Sequence, residues 1–168
     1  QNTYRHRVAK AQLRFADGDP DGALALLADA QRVFVSEYYP LVRPIPAQIA
    51  RIHAARGHLR DAEAWVRERG LSVDDPLTYV GEYEHVTLTR LLLARHRSGP
   101  DPAALDDAVA LLERLHAAAV AGGRHGTAVE ILVLLALAHH ARAEPAIALD
   151  RLERAVVLAE PERAVRVF

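Results

Sequence analysis

Residues 18–30 read GDPDGALALLADA, and two later stretches, residues 57–69 (GHLRDAEAWVRER) and residues 143–155 (AEPAIALDRLERA), share their spacing of small and large residues. Each stretch begins with glycine or alanine, has alanine five positions later, and has a large apolar residue four positions after that. A small residue at a helix end lets the chain turn sharply. Alanine early in the next helix lets the partner helix approach closely, and the larger residues fill the space between the two. The pattern therefore predicts pairs of packed helices joined by tight turns.

The pattern recurs along the chain as a repeat. A degraded copy, Ala108-x3-Leu112-x2-Leu115, follows an expanded turn at residues 98–102. The marker alanines Ala23, Ala62, Ala108 and Ala148 are 39, 46 and 40 residues apart. Tetratricopeptide repeats (TPRs) have about 34 residues and a comparable order of small and large residues. We therefore predict an all-α fold, a TPR-like right-handed superhelix of about four antiparallel helical hairpins.

The predicted hairpins cover residues 4–36, 46–70, 80–121 and 126–160 of a single domain that spans residues 1–168. We expect Tyr38 and Tyr39 to pack the link between the first two hairpins. Helix 128–140 is the most apolar and is predicted to be the most buried. The residues from Glu162 onward read as the start of a further element, and the chain contains no methionine, even at position 1. We therefore expect it to be a fragment of a longer protein.

Charge and composition exclude several classes of function. The 21 basic and 22 acidic residues are well mixed and give a net charge of −1, so the chain lacks the positive field that attracts nucleic acid. It has no cysteine, so thiolate metal sites and thiol nucleophiles are excluded. No apolar run approaches the length of a membrane span. We predict a cytoplasmic location, with no membrane partner and no direct nucleic-acid binding.

Three stretches resemble a known family. They are residues 71–94 (LSVDDPLTYVGEYEHVTLTRLLLA), residues 108–141 (AVALLERLHAAAVAGGRHGTAVEILVLLALAHHA) and residues 148–168 (ALDRLERAVVLAEPERAVRVF). In order and spacing they resemble the TPR-like region of large ATP-binding LuxR-type bacterial transcriptional regulators, of which the activator of maltose genes is the familiar member. The resemblance covers essentially the whole chain and is densest from Leu71 onward.

The resemblance implies a role within a larger regulator. Such proteins carry an N-terminal nucleotide-binding switch, a helical sensor and interaction region, and a C-terminal helix-turn-helix. This chain has no Gly-x4-Gly-Lys-Ser/Thr phosphate loop and no plausible recognition helix. We therefore expect no cofactor here, with ATP bound by a missing N-terminal domain of the parent protein. The implied partners are the other domains of the parent and either a small-molecule inducer, which is an oligosaccharide in the maltose activator, or a regulatory protein.

The candidate binding site is the concave face of the superhelix, which the first helix of each hairpin lines. Seven side chains on or near that face can hydrogen-bond a polar ligand or stack on it. They are Arg5, Gln12, Arg51, Tyr83, Arg90, Glu130 and His140. No catalytic residue is predicted, and the chain is not expected to be an enzyme.

A metal-binding alternative rests on two Glu-x-x-His pairs, Glu82 with His85 and Glu113 with His116. Di-iron helical bundles use two such pairs and further glutamates. Glu113 lies off the apolar stripe of its helix, so no metal site is predicted. His53 and His58, which flank the turn at Gly57, are expected to interact with helix-end carbonyls.

The competing function is a free-standing TPR adaptor that binds peptides. Adaptors that clamp a peptide carboxylate need inner-face lysines and asparagines, and this chain has only Lys10 and Asn2. Arginine can replace them electrostatically, with a different geometry. We favour a non-catalytic sensor and protein-interaction domain of a LuxR-type regulator over the adaptor, and a helical metalloprotein ranks last.

Overall fold

The computed structural model describes residues 2–33 and 41–160 of the chain. The described part contains eight α-helices and no strand, which confirms the predicted all-α, TPR-like class. The helices are α1 (Asn2–Ala16), α2 (Pro20–Arg32), α3 (Ile45–Ala55), α4 (Leu59–Arg69), α5 (Glu82–Ser98), α6 (Pro102–Ala121), α7 (His125–Ala141) and α8 (Pro145–Ala159). The predictions for Tyr38, Tyr39 and the element from Glu162 onward lie outside the described residues.

Four tight turns between helices share one backbone geometry, which also closes α4 at Gly70 before the longer segment that leads to α5. The middle residue of each has a positive φ, and the residue after it donates its N–H to the carbonyl five positions earlier, a bond that closes the preceding helix. The middle residues are Gly18 (φ 81°), Gly57 (76°), Gly123 (64°) and Ala143 (59°). Because a side chain makes this conformation unfavourable, Ala143 is the strained member of the set.

The turn at Gly123 begins a further copy of the repeat, which is not among the copies predicted above. Gly123-x4-Ala128-x3-Leu132-x2-Leu135 has the spacing of the three quoted stretches. Ala128 and Leu135 are fully buried and Leu132 is 2% exposed. The tight turn therefore precedes α2, α4, α7 and α8. It forms both of the connections among the last three helices, α6 to α7 and α7 to α8.

The marker alanines occupy the helix contacts that their spacing predicts. Ala23, Ala62 and Ala108 are at most 1% exposed, and Ala148 is 9% exposed. The largest apolar cluster joins α5, α6 and α7, while a separate cluster joins α1, α2 and α3. Consecutive helices pack as hairpins, and α3 also packs directly against α5. That contact brings the two halves of the repeat array together.

Both α5 and α7 are heavily buried, and over residues 128–140, for which the sequence predicts the greatest burial, 9 of 13 positions are buried. Among the described residues, α5 has 11 buried positions of 17, whereas α7 has 9 of 17. The larger number of buried positions in α5 follows from its place in the fold, since α5 packs against α3, α4, α6 and α7. α7 is the more apolar helix, but it leaves Leu137 exposed to solvent.

The acidic segment before α5 is held against the core. Leu71, Val73 and Leu77 pack on the main apolar cluster. Arg114 of α6 donates to the carbonyls of Val73 at 2.5 Å and Asp75 at 2.7 Å. These contacts fix the entry into α5 and so fix the position of Tyr83 in its first turn. No helix in the described ranges combines the length and hydropathy that crossing a bilayer requires.

Candidate ligand-binding groove

The helices α1, α3, α5 and α7 border a cavity of about 530 Å³, to which α2 and the segment before α3 also contribute. A second cavity of about 260 Å³ adjoins it through three shared residues. The first cavity is lined by Ala11, Gln12, Phe15, Leu27, Arg43, Gln48, Arg51, Ile52, Tyr83 and Glu130. We call the two cavities together the inner groove. Its walls combine an apolar floor with several polar groups, as binding pockets for polar ligands do.

The polar centre of the inner groove is an ion triad. Glu130 Oε1 accepts from Arg51 Nη2 at 2.5 Å, from Arg90 Nη2 at 2.8 Å and from Arg90 Nε at 3.1 Å. The Arg51 and Glu130 side chains are each 22% exposed. The triad links α3, α5 and α7, and Arg51 and Glu130 are 79 positions apart in the chain.

The charges of the triad shift the pKa values of Glu130 and Arg90. Burial raises the pKa of Glu130, but Arg51 and Arg90 outweigh burial and hold this pKa below its ordinary value. Burial lowers the pKa of Arg90, and the positive charge of Arg51 lowers it further, although Glu130 opposes both effects. One carboxylate thus stabilises two cations that share a partly desolvated site.

Tyr83 provides an aromatic surface between charged groups. The guanidinium carbon of Arg51 lies 5.4 Å from the centre of the Tyr83 ring, and that of Arg43 lies 5.6 Å from it. Both distances are within the range of cation–π attraction. Counting Arg43, Arg51 and Arg90 against Glu130, these described groups carry a net formal charge of +2. This excess favours a ligand that brings an anionic group.

Two glutamines that line the first cavity form a chain of hydrogen bonds. Gln12 of α1 donates to Gln48 Oε1 at 3.3 Å, and Gln48 Nε2 donates to the carbonyl of Arg43 at 2.9 Å. Gln48 is only 5% exposed. This chain of bonds connects the first hairpin to the segment before α3 and so positions the backbone of Arg43.

In the second cavity, Arg124 forms a further ion pair with Glu82. Arg124 Nε donates to Glu82 Oε2 at 2.8 Å, and Arg124 Nη2 donates to the carbonyl of Ala118 at 2.7 Å. The Arg124 guanidinium also lies 5.7 Å from the centre of the Tyr79 ring. Because this pair is neutral overall, the excess positive charge is concentrated near Tyr83.

Of the seven side chains predicted for the concave face, five come together. Gln12, Arg51, Tyr83 and Glu130 line the cavity, and Arg90 joins them through Glu130. The other two, Arg5 and His140, are exposed and do not line either cavity. Arg5 shares a face of α1 with Gln12 but lies two turns away, about 10 Å along the helix. His140 is rotated about 80° from Glu130 and lies about 15 Å farther along α7.

Sequence reasoning missed Arg43, Gln48 and the Arg124–Glu82 pair. Gln48 precedes Arg51 by three positions on one helix, so the helical period alone would have placed it on the same face. Arg43 has no such signal, because it lies before α3 among prolines and its position depends on the hydrogen bond from Gln48. Arg124 lies in the tight turn before α7, where its direction depends on tertiary packing.

The Glu-x-x-His pairs do not form a shared ligand set. Glu82 pairs with Arg124, while His85 Nδ1 bonds the carbonyl of Gly81 at 2.9 Å. Glu113 pairs with Arg151 at 2.8 Å and is 41% exposed. Within residues 2–33 and 41–160, the side chains that could share an ion are instead His53, His58 and Asp61.

The fold and the groove define the class of this protein: it is a TPR-like helical-repeat domain whose inner helices border a polar groove. The chain matches, over residues 1–168, the family described as the MalT-like TPR region, and it belongs to that family. Neither the curated proteins nor the solved structures gave a match.

Proposed function

We propose that this chain is a non-catalytic sensor and interaction domain of a LuxR-type transcriptional regulator, and that it binds an inducer or a regulatory protein in the inner groove. Membership of the MalT-like TPR family supports a role within such a regulator. In this proposal the other domains of the parent protein bind ATP and DNA, and the protein acts in the cytoplasm.

The observation that carries the proposal is the Arg51–Glu130–Arg90 triad beside Tyr83 and Arg43. The triad holds two guanidiniums in place before any ligand arrives, so little side-chain entropy is lost on binding. Guanidinium groups form charge-assisted hydrogen bonds with carboxylate and phosphate oxygens. The groove therefore suits a polar ligand with one anionic group and a flat or ring-shaped part that stacks on Tyr83.

Ligand binding can change the angles between hairpins, because the walls of the groove belong to different hairpins. Gln12 belongs to α1, Arg51 to α3, Tyr83 to α5 and Glu130 to α7. A ligand that contacts several of these helices favours one set of angles between hairpins over others, and its differential affinity sets how far the population shifts. The neighbouring domains of the regulator then respond to the changed angles.

The test is a thermal-shift screen of this chain with defined probes: inorganic phosphate, sugar phosphates, dicarboxylates, neutral oligosaccharides and short acidic peptides. We expect an anionic probe to raise the Tm of the wild type and to have little effect on Arg43→Gln. Arg97→Gln is the matched control, because Arg97 is exposed near the opposite end of α5 from Tyr83. A probe that stabilises wild type and Arg43→Gln equally would place binding outside the inner groove and contradict the proposal.

The same screen separates the sensor from the peptide adaptor. If only peptides with a free C-terminal carboxylate raise the Tm, and their amidated forms do not, the adaptor is favoured. If small anions suffice, the sensor is favoured. The proposed change in the angles between hairpins is tested by small-angle X-ray scattering. The scattering profile at saturation with the best probe should differ from the profile without ligand. An unchanged profile would refute the change in angles.

A further inference from the structure

The turn between α3 and α4 brings three potential metal ligands together. His53 lies in the last turn of α3, His58 is the N-cap of α4, and Asp61 lies in the first turn of α4. The His58 N–H donates to the His53 carbonyl at 2.9 Å, and this bond folds the turn back on itself. As a result the two imidazole rings lie 5.8 Å apart between centroids, with a tilt of 31°.

A second, independent observation concerns the Nδ1 atom of His53. This nitrogen is buried and has no hydrogen-bond partner, and the nearest carboxylate oxygen, on Asp61, is 3.9 Å away. The prediction that His53 bonds a helix-end carbonyl is therefore wrong for this atom. A buried polar atom without a partner costs free energy, and coordination to an ion would satisfy this nitrogen.

We propose that His53, His58 and Asp61 bind a divalent transition-metal ion of the zinc class. One ligand atom from each residue lies within 4.8 Å of the other two. Binding to one ion at about 2.0–2.2 Å requires these atoms to move closer by roughly 1 Å. Because His58 and Asp61 are exposed, rotation of their side chains can supply this movement around the more buried His53.

The donor set determines the kind of ion. Two imidazole nitrogens and one carboxylate oxygen suit Zn²⁺, Co²⁺ or Ni²⁺, whereas Ca²⁺ and Mg²⁺ prefer oxygen ligands alone. The solvent side leaves a coordination position for water. The adjacent cation Arg56 is paired with Asp21 at 2.5 Å, which reduces its repulsion of a metal ion. A bound ion would join the end of α3 to the start of α4, two residues from Arg51 of the inner groove.

The experiment uses the whole chain without an affinity tag and ZnCl₂ as the probe in isothermal titration calorimetry. Wild type is expected to bind one Zn²⁺ per chain, and Co²⁺ is expected to give the visible absorption of a tetrahedral site. His58→Gln and Asp61→Asn change exposed residues, and each should weaken binding at least about tenfold. His53→Gln should do the same, while His140→Gln, a control on α7, should not.

Folding is checked separately by circular dichroism and by the Tm in EDTA, so loss of structure is not mistaken for loss of a ligand. Zn²⁺ should raise the Tm of wild type more than that of His58→Gln, because only the folded site binds the ion. The proposal is overturned if wild type shows no saturable 1:1 binding. It is also overturned if the folded His58→Gln and Asp61→Asn variants bind Zn²⁺ as wild type does.

Discussion

Replacing Glu130 by glutamine should destabilise the domain, because the change leaves Arg51 and Arg90 together without a counter-charge. Exposed ion pairs contribute about 0–1 kcal/mol, whereas removing one member of a buried pair costs about 3–5 kcal/mol. Glu130 and Arg51 side chains are 22% exposed and that of Arg90 is 33% exposed, so the triad lies between these limits. We expect Glu130→Gln to lower the free energy of unfolding by about 2 kcal/mol.

The assay is urea unfolding followed by circular dichroism, together with thermal unfolding. For a chain of this size about 2 kcal/mol corresponds to a Tm decrease of roughly 4–8 °C. The matched control is Asp150→Asn, which removes an exposed pair with Arg154 at 4.0 Å and should cost only a few tenths of a kcal/mol. If Glu130→Gln costs no more than this control, the triad does not stabilise the fold and the reasoning is refuted.

Acid should reduce the difference between wild type and Glu130→Gln. The folded-state pKa of Glu130 is depressed below its ordinary value of 4.5, so the unfolded state takes up the proton first. The stability that the carboxylate contributes is therefore complete above about pH 4.5 and is lost as the pH falls through the folded-state pKa. Unfolding free energies measured at a series of pH values should converge below that point. A difference that stays constant would refute the assigned direction.

Two further changes test the turns and the second ion pair. Ala143→Gly should stabilise the domain by about 1 kcal/mol, because glycine adopts a positive φ without strain, and Gly57→Ala should destabilise it by a similar amount. Thermal unfolding checks both variants. Changes in Tm of the same sign would contradict the explanation. Arg124→Gln should cost about 2–3 kcal/mol in urea unfolding, because Glu82, 7% exposed, loses its cation. A cost below about 0.5 kcal/mol would show that the pair is mainly solvated.

Most of the fold was readable from local patterns in the sequence. The small residues at positions 18, 57 and 143 mark turns, and the marker alanines lie in helix contacts. The copy at Gly123 has the same spacing and was equally readable from the sequence. The extent of burial of α5 was not readable, because it depends on packing against four neighbouring helices rather than on the apolar content of α5 itself.

The candidate site was readable only in part. Arg51, Tyr83, Arg90 and Glu130 were found because each lies on the inner face of a first helix, and that face follows from the helical period. Arg5 and His140, predicted on or near the concave face, are exposed and line neither cavity, because register along a helix does not give depth within a groove. Arg43 was missed because a segment without regular structure has no periodicity to read.

The sequence by itself determined where helices begin, turn and present their apolar faces, since these depend on contacts within a few residues. The tertiary structure decided that Arg51 and Arg90 share the single carboxylate of Glu130, 79 and 40 positions away along the chain. It also decided that the Nδ1 atom of His53 is buried beside His58 and Asp61 without a partner. The physical reason is that pairing of charges and burial of polar atoms depend on which helices meet, and that is fixed only when all the apolar faces pack at once.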